Sequence, residues 1–355
     1  MKLIYACIFS CLLTLAQAAI PLVKEELLSP EREHFDCHSS SIVESSEGKL
    51  CAVWKGGPGE GKSNIDIKEN VGIWASVFDG HAWSEPMEIV STADSVCWNP
   101  VLCNSLSSEL LLFYRIGPDP RRTVSFIKKS VDGGLTWSAE EMLPAGITGP
   151  SKNKPIVTSD GVLICPSSVA VGEQSDAWKA TSCWVDITED GGLHWKKIGP
   201  LELPHRKFGV IEPALFYDKE RNLRMFCRDR AHRIGEQGYI WEAISTDGGL
   251  HWSELKQTQF PNPDSAFDCV DLGEGKIILI YNHSHTDRFP LHISVSFDGG
   301  DHWSKSLELD SVGEFPAAIK TADGMVHVTY ATPSSNSTQR RIKHVIFDSS
   351  QLNQD

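Results

Sequence analysis

Ser245-Thr-Asp-Gly-Gly-Leu-His-Trp252 is one of four close copies of an eight-residue pattern, which recurs at 130–137, 188–195 and 296–303. A weaker copy spans 76–83. The aspartates of the five copies stand at 79, 132, 190, 247 and 298, so the intervals between them are 53, 58, 57 and 51 residues. A repeat of about fifty residues predicts an array of similar supersecondary units.

These Asp boxes have the composition of a tight β-hairpin turn. Glycine adopts the positive φ angles that such a turn requires, and an Asp side chain accepts hydrogen bonds from nearby backbone N–H groups. The Trp five residues after the Asp is large enough to pack back onto the turn. We therefore interpret the boxes as structural turns and not as ligand sites.

Six short runs of β-forming residues alternate with the boxes, at 50–54, 110–114, 162–165, 223–227, 277–281 and 326–330. Each run follows a turn-like group, and we interpret each as the inner strand of one repeat. A repeat of about 56 residues has room for the four strands of a propeller blade. The prediction is an all-β fold: one six-bladed β-propeller domain over residues 20–355, whose two chain ends meet in a shared blade.

The chain begins with Met1-Lys2, an apolar run over 3–15 and Ala16-Gln17-Ala18, which predicts a signal peptide over residues 1–19. We therefore expect a secreted or periplasmic protein. The net charge of −14 argues against nucleic acid as a partner. No later segment is long and apolar enough to predict membrane insertion. The ten cysteines include no Cys-x-x-Cys pair, and we expect a monomer without a metal or a cofactor.

The boxes, their spacing and the number of blades resemble the sialidase (neuraminidase) superfamily of Asp-box, or BNR-repeat, proteins. Members carry a Glu followed sixteen residues later by an Arg, and Glu212 and Arg228 have that spacing. A further Arg of the family precedes the strand that leads into a late box, as Arg288 does. The resemblance implies that Glu212 takes part in catalysis and that Arg228 and Arg288 bind a substrate carboxylate.

Three positions depart from the family pattern. His38 stands where the first Arg of the family would be. Asn70 stands where the acid/base Asp would be, with Glu69 beside it as an alternative acid. Phe315 replaces the nucleophilic Tyr, and Tyr330 follows it on a predicted inner strand. With these departures the chain resembles a divergent bacterial and plant branch, which shares the segments 37–40, 56–61, 97–100, 114–118, 152–155, 261–265 and 341–345.

The resemblance implies a substrate with a carboxylate beside its anomeric carbon, a group that a planar guanidinium binds through paired hydrogen bonds. Arg115 is a candidate third member of that clamp. His38 would donate a hydrogen bond or act as acid/base, and Glu212 would activate Tyr330 or be the base itself. Glu60, Asp66 or Glu69 would be the acid. Further candidates for lining the pocket are Asn70, Asn99, Lys154, Asn262 and Asp268.

The leading functional hypothesis is a secreted sialidase-like glycoside hydrolase that removes a terminal acidic sugar from a glycan or glycoconjugate. One alternative is a His38-dependent glycosidase or lyase acting on glycans that contain uronate or rhamnose. Another is a carbohydrate-binding propeller without catalysis, which Asn70 and Phe315 favour. A protein-binding scaffold is a third alternative.

Overall fold

The computed structural model describes residues 20–29, 35–58, 70–93, 95–171, 180–203, 209–334 and 339–352. This part of the chain is almost entirely β-structure. In chain order its strands are β1 (Lys24–Leu27), β2 (Asp36–Glu44), β3 (Leu50–Gly57), β4 (Gly72–Phe78), β5 (Met87–Val90), β6 (Val96–Asn104), β7 (Leu110–Asp119), β8 (Arg122–Ser130), β9 (Glu141–Met142), β10 (Ile156–Val157), β11 (Leu163–Val171), β12 (Ala180–Thr188), β13 (Lys196–Leu201), β14 (Val210–Tyr217), β15 (Leu223–Asp229), β16 (Tyr239–Ser245), β17 (Lys256–Pro261), β18 (Asp268–Gly273), β19 (Lys276–Asn282), β20 (Leu291–Ser296), β21 (Leu307–Asp310), β22 (Glu314–Lys320), β23 (Met325–Pro333) and β24 (Arg340–Asp348). Two short 3₁₀ helices span Ala231–Ile234 and Ser349–Gln351.

The strands form six antiparallel four-stranded sheets, five of which are built from consecutive strands. Blades one to five comprise β2–β5, β6–β9, β10–β13, β14–β17 and β18–β21. Blade six has the order β1-β24-β23-β22, so the first strand completes the last sheet. Lys24 lies opposite Ile346, and Leu27 lies opposite Lys343. The predicted closure of the ring by both chain ends is confirmed.

The first strands of neighbouring blades contact one another around a common axis. β2 contacts both β6 and β22, and β18 contacts β14 and β22. The fold is therefore a six-bladed β-propeller, as predicted. The runs that the sequence marked as inner strands are each second from the axis, in β3, β7, β11, β15, β19 and β23. These strands are the most apolar because neighbouring blades cover both of their faces, whereas the first strands also carry polar residues that face the axis.

The Asp boxes form the turns between the third and fourth strands of their blades. In the box of blade four, Ser245 Oγ donates to Asp247 Oδ1 at 2.9 Å and accepts a hydrogen bond from Gly249 N at 2.9 Å. Asp247 Oδ1 also accepts from His251 N at 2.9 Å, and Trp252 Nε1 donates to Gly249 O at 2.9 Å. The boxes at 130–137, 188–195 and 296–303 make the equivalent bonds, which supports their interpretation as structural turns.

Apolar side chains fill the spaces between neighbouring blades. One cluster joins blades five and six, and another joins blades one and two. All eight cysteines of the described residues are buried as free thiols in such positions. The described part of the chain contains no helix with the length and hydrophobicity that a membrane crossing would require.

Candidate functional site

A cavity of about 250 Å³ opens at one end of the propeller axis. It is lined by His38, Ser39, Lys55, Trp98, Asn99, Arg115, Pro120, Ser168, Ala170, Thr181, Ile211, Glu212, Arg228, Arg230, Arg288 and Phe315. Every blade contributes at least one of these residues. Five of them are cationic and one, Glu212, is acidic, so the residues that line the cavity carry more positive than negative charge, although the whole protein is acidic.

Four innermost strands share one irregularity at this cavity. The pairing register with the second strand shifts between His38 and Ser41 in β2, and at the equivalent places in β6, β14 and β22. One residue at each shift has a positive φ angle: Ser39 at 53°, Asn99 at 39°, Glu212 at 50° and Phe315 at 57°. Such bulges redirect side chains and are costly for residues other than glycine, so their repetition around one cavity indicates a functional site.

Glu212 and Arg228 form an ion pair within the cavity wall. Arg228 Nη1 donates to Glu212 Oε2 at 2.6 Å, and Asn99 Nδ2 donates to Glu212 Oε1 at 3.1 Å. Burial opposes ionisation of Glu212, but the positive charge of Arg228 outweighs it, and the pKa of Glu212 lies below its ordinary value. The predicted pair is therefore assembled, with Glu212 held as a carboxylate.

Asp264 lies behind the arginines and orients them. Its Oδ1 accepts from Arg228 Nε at 3.0 Å, and its backbone carbonyl accepts from Arg228 Nη2 at 2.5 Å and Arg288 Nη2 at 2.8 Å. Arg230 Nε lies 3.3 Å from the same Oδ1. Asp264 also has a positive φ of 57°. Its role did not emerge from the sequence, where it appears only within the shared segment 261–265.

Glu314 is a second carboxylate that holds cations at the site, and its side chain is 15% exposed. It accepts from Arg288 Nη1 at 3.0 Å and from Arg340 Nη1 at 2.8 Å, and its Oε1 lies 3.4 Å from His38 Nε2. These partners lower the pKa of Glu314. Arg340 also binds Asp36, through Nη2 at 2.6 Å from Oδ2. Glu314 and Arg340 were not among the predicted site residues, because only the packing of blade six against blade five brings them beside Arg288.

His38 is a neutral member of the site. Burial lowers the pKa of its imidazole to about 3, so the ring carries no charge near neutral pH. Its Nδ1 lies 2.7 Å from Ser39 Oγ, and its ring centroid lies 4.0 Å from that of Phe315. The residue therefore lies where the sequence placed it, but as an uncharged group.

Phe315 and Tyr330 have separate environments. Phe315 lies in the cavity wall, with the guanidinium carbons of Arg228 and Arg288 each 5.3 Å from its ring centroid. Tyr330 is fully buried in the cluster between blades five and six, where its hydroxyl donates to Asp310 Oδ2 at 2.5 Å. Burial and that carboxylate raise the pKa of Tyr330. Among the described residues, no tyrosine lines the cavity.

Arg115 and Lys55 line the cavity from blades two and one. Arg115 is only 8% exposed, and its Nε has no hydrogen-bond partner among the described residues. Burial lowers the pKa of its guanidinium, although the charge of Glu212 acts in the opposite direction. Lys55 is also buried, with Nζ 4.8 Å from the ring centroid of Trp98.

The segment 151–154 crosses beneath the cavity and connects several blades. Lys152 Nζ donates to Pro316 O at 3.0 Å, and Asn153 Nδ2 donates to Glu212 O at 3.2 Å. Burial lowers the pKa of Lys152 to about 8. Lys154 Nζ donates to Asp268 Oδ2 at 2.9 Å. The geometry thus makes Lys154 and Asp268 a connection between blades, and neither lines the cavity.

The remaining candidates fall at the edge of the described structure or beyond it. Asn70 is exposed, has a φ of 60° and is not among the residues that line the cavity. Glu69 and the rest of 59–69 lie outside the described residues, as does the signal peptide predicted over 1–19. Asn262 is buried and bonds to Ser265 O at 2.8 Å, within the turn that carries Asp264.

Comparison with known proteins agrees with this architecture. A family model described as a BNR repeat-like domain matches residues 48–328. A sialidase from Bacteroides fragilis (strain YCH46) is 26% identical over 212 residues, which cover 54% of this chain but only 36% of the relative. The matched segment therefore spans about a third of that protein.

Solved structures show the same fold at low sequence identity. A protein of unknown function from Dyadobacter fermentans superposes with a TM-score of 0.75 at 17% identity, over 92% of this chain and 98% of that one. The NanB sialidase of Streptococcus pneumoniae gives a TM-score of 0.69 at 12% identity, over 95% and 71% of the two chains. The chain therefore belongs to the family of BNR repeat-like proteins, as a propeller with a sialidase-like fold.

Proposed function

We propose that the protein binds the carboxylate of a terminal acidic sugar in the axial cavity and hydrolyses the adjacent glycosidic bond. The observation that carries this proposal is the convergence of Arg228 and Arg288 on a cavity that also holds the Glu212 carboxylate. Arg288 is 30% exposed and keeps N–H groups beyond its bonds to Glu314 and Asp264. An acidic ligand needs such local cations, because the net charge of −14 repels it elsewhere.

The proposed reaction uses water as the nucleophile. Tyr330 bonds to Asp310 in the core, and Phe315 has no hydroxyl, so the described residues offer no phenol for a covalent intermediate. In this reaction Glu212 accepts a proton from a water molecule while the oxygen of that water bonds to the anomeric carbon. The glycosidic oxygen then leaves with a proton from an acid, a role for which Glu69 remains the candidate. A single displacement inverts the anomeric configuration.

The decisive experiment compares the wild type with Glu212→Gln on a panel of sialosides and glucuronides. We expect turnover by the wild type, release of the inverted anomer in freshly quenched NMR spectra, and a loss of kcat of at least about a hundredfold in the variant. Binding measured by calorimetry should persist in Glu212→Gln. Retained configuration, or a variant as active as the wild type, would rule out Glu212 as the base.

A binding propeller without catalysis is the second candidate, and Phe315 is the observation that favours it. An aromatic ring between two guanidiniums forms a surface on which a sugar can stack. This function would be indicated by micromolar binding of one acidic glycan with no turnover on the panel. Loss of that binding in a protein carrying both Arg228→Ala and Arg288→Ala would assign it to this cavity.

Elimination with His38 as the base is less well supported by the geometry. The imidazole is neutral, as a base must be, but its two nitrogens already face Ser39 and Glu314. Elimination would leave an unsaturated uronate that absorbs in the ultraviolet. Absorbance during turnover of a uronate-containing glycan, abolished by His38→Ala, would favour this route over hydrolysis.

We also propose that the protein is exported, since residues 1–19 have the composition of a cleaved signal peptide. Sequencing the N-terminus of the mature protein tests this directly. A mature chain that begins near residue 19 or 20 supports export, and an intact Met1 on the isolated protein contradicts it.

A further inference from the structure

The charges at one side of the cavity are balanced within the protein. Four guanidiniums gather there, and so do four carboxylates that contact them. The guanidiniums belong to Arg228, Arg230, Arg288 and Arg340, and the carboxylates to Asp36, Glu212, Asp264 and Glu314. This wall is formed by blades four to six together with Asp36 of blade one, and it therefore has little net charge. Arg288 retains N–H groups for a ligand beyond its bonds to Glu314 and Asp264.

The opposite wall carries two more cations at equivalent positions of the fold. Lys55 pairs with His38 in blade one, and Arg115 pairs with Trp98 in blade two. His38 directly precedes Ser39, and Trp98 directly precedes Asn99, the residues of their strands with a positive φ angle. Arg228 has the same position in blade four, opposite Ile211, whereas blade six has Ala331 there. The fold thus directs these second-strand cations at the axis.

Ring geometry places the two groups of cations across the axis from each other. In a six-bladed ring, blade one faces blade four and blade two faces blade five. Lys55 and Arg115 therefore face the blades that carry Arg228 and Arg288. One carboxylate cannot bridge two opposite walls with short hydrogen bonds, since its oxygens are separated by little more than 2 Å.

The environment of Arg115 indicates that this wall can bind an anion. Its side chain is more than nine-tenths buried at the cavity, and its Nε lacks a hydrogen-bond partner among the described residues. A buried guanidinium without a bonded acceptor is unfavourable, and such groups in folded proteins are normally paired. Trp98, whose ring packs beside Lys55, is held by a 2.8 Å bond from Nε1 to Gly117 O. The wall is thus a built pocket and not a pair of surface charges.

We propose that the ligand carries two anionic groups, and that Arg115 and Lys55 bind the second one. This inference rests on the proposed function, in which Arg228 and Arg288 bind the sugar carboxylate. The second group is an oxyanion that accepts paired hydrogen bonds from a guanidinium: a sulfate ester or a further carboxylate on the same glycan. The natural substrate is then a doubly charged acidic sugar.

Calorimetry with matched probes on the full chain tests this. The probes are the methyl glycosides of N-acetylneuraminic acid and glucuronic acid, the set of mono-O-sulfated isomers of each, and carboxymethyl ethers at the same hydroxyls. We expect at least one dianion to bind about tenfold or more tightly than its parent monoanion, as one added charged hydrogen bond would give. Preference for the sulfate or for the carboxymethyl form identifies the second group.

Variants test whether the higher affinity for a dianion comes from the wall that carries Lys55 and Arg115. In Arg115→Gln the ratio of dianion to monoanion affinity should fall to about one, whereas Arg288→Ala should weaken both probes and leave the ratio. Arg122→Gln is the control, because it removes the same charge from an exposed position on blade two. It should keep the tenfold ratio. Melting temperatures show that each variant is folded.

Three outcomes would overturn the inference. If the monoanion binds and no dianion binds more tightly, only the second subsite is wrong and the proposed function stands. The same holds if Arg115→Gln keeps the dianion preference intact. If neither monoanions nor dianions bind the wild type, both the inference and the proposed function fail.

Discussion

The guanidinium of Arg115 is buried, and its Nε has no hydrogen-bond partner among the described residues. This arrangement lowers the stability of the folded protein, and a bound anion would offset the loss. We expect Arg115→Met to leave the free energy of unfolding unchanged or to raise it by about 1 kcal/mol, because an uncompensated charge is replaced by an apolar chain. Affinity for the acidic ligand should decrease. Urea denaturation and calorimetry measure the two effects.

Arg228→Met is the matched comparison for that prediction. The guanidinium of Arg228 bonds to Glu212 and Asp264, so its removal deprives two buried carboxylates of a hydrogen-bonded cationic partner. We expect a loss of roughly 3 kcal/mol. If Arg115→Met is as destabilising as Arg228→Met, Arg115 has a structural role that its contacts do not explain.

The lowered pKa of Glu314 predicts how the stability of the protein depends on pH. Its pKa is lowered in the folded protein from an ordinary value of 4.5, so its contribution is complete above that pH and is lost as the pH falls toward the folded pKa. Glu314→Gln should therefore lower the free energy of unfolding by roughly 3 kcal/mol at pH 7, because Arg288 and Arg340 lose their carboxylate.

The difference in the free energy of unfolding between wild type and Glu314→Gln should shrink as the pH falls below 4.5, because the carboxyl is then protonated in the unfolded wild type, which favours unfolding. Urea unfolding curves at steps between pH 7 and pH 3 measure it. A difference that stays constant over this range would show that the loss at pH 7 does not come from the charge of Glu314.

At the scale of the elements, the Asp boxes stabilise blades without contacting the cavity. Asp298 Oδ1 accepts hydrogen bonds from Asp301 N at 3.1 Å and His302 N at 2.9 Å, and Ser296 Oγ donates to it at 2.8 Å. We expect Asp298→Ala to cost roughly 1 kcal/mol of stability, as the loss of a side-chain cap does. Ligand affinity should not change.

The weaker box at 76–83 offers an internal comparison. Asp79 accepts only from His81 N and Ala82 N, and Trp83 Nε1 donates to Glu26 instead of to a glycine carbonyl of its own turn. Asp79→Ala should therefore lower the melting temperature less than Asp298→Ala. The reverse order, or an altered ligand affinity in either variant, would contradict a purely structural role for the boxes.

The innermost strands contain bulges that the sequence pattern does not predict. Asn99, Glu212 and Phe315 each precede a proline and have positive φ, a combination that sequence propensities do not favour. The alternation of a regular strand would turn these side chains to other faces, because a shift of one residue reverses every side chain that follows. The sequence marks the residues, but the bulges direct them to the axis.

At the scale of the whole molecule, the ring depends on β1. This strand completes blade six, and Leu28 and Ile20 beside it are buried. A chain that begins at residue 29 should melt at least about 5 °C below one that begins at residue 20, because β24 becomes an exposed edge. It should also aggregate with increasing concentration. Equal melting temperatures and solubility would show that closure by β1 is dispensable.

The sequence by itself determined the repeat, the number of blades and the turn role of the boxes. These features depend on local periodicity, which a linear chain displays directly. The resemblance to the sialidase superfamily indicated Glu212, Arg228, Arg288, His38 and Phe315 as site positions, although it could not show that burial keeps His38 neutral.

Only the tertiary structure decided which groups meet at the axis. Asp36 and Arg340 are joined across 304 residues, and Lys152 reaches Pro316 across 164. Tyr330 was predicted on an inner strand, yet it lies one strand further out with its hydroxyl in the core, because side chains alternate along β23. The roles of Asp264 and Glu314 and the unbonded Nε of Arg115 arise from the arrangement of the blades around the axis. These contacts cannot be predicted from local sequence patterns, because they depend on how six sheets pack around one axis.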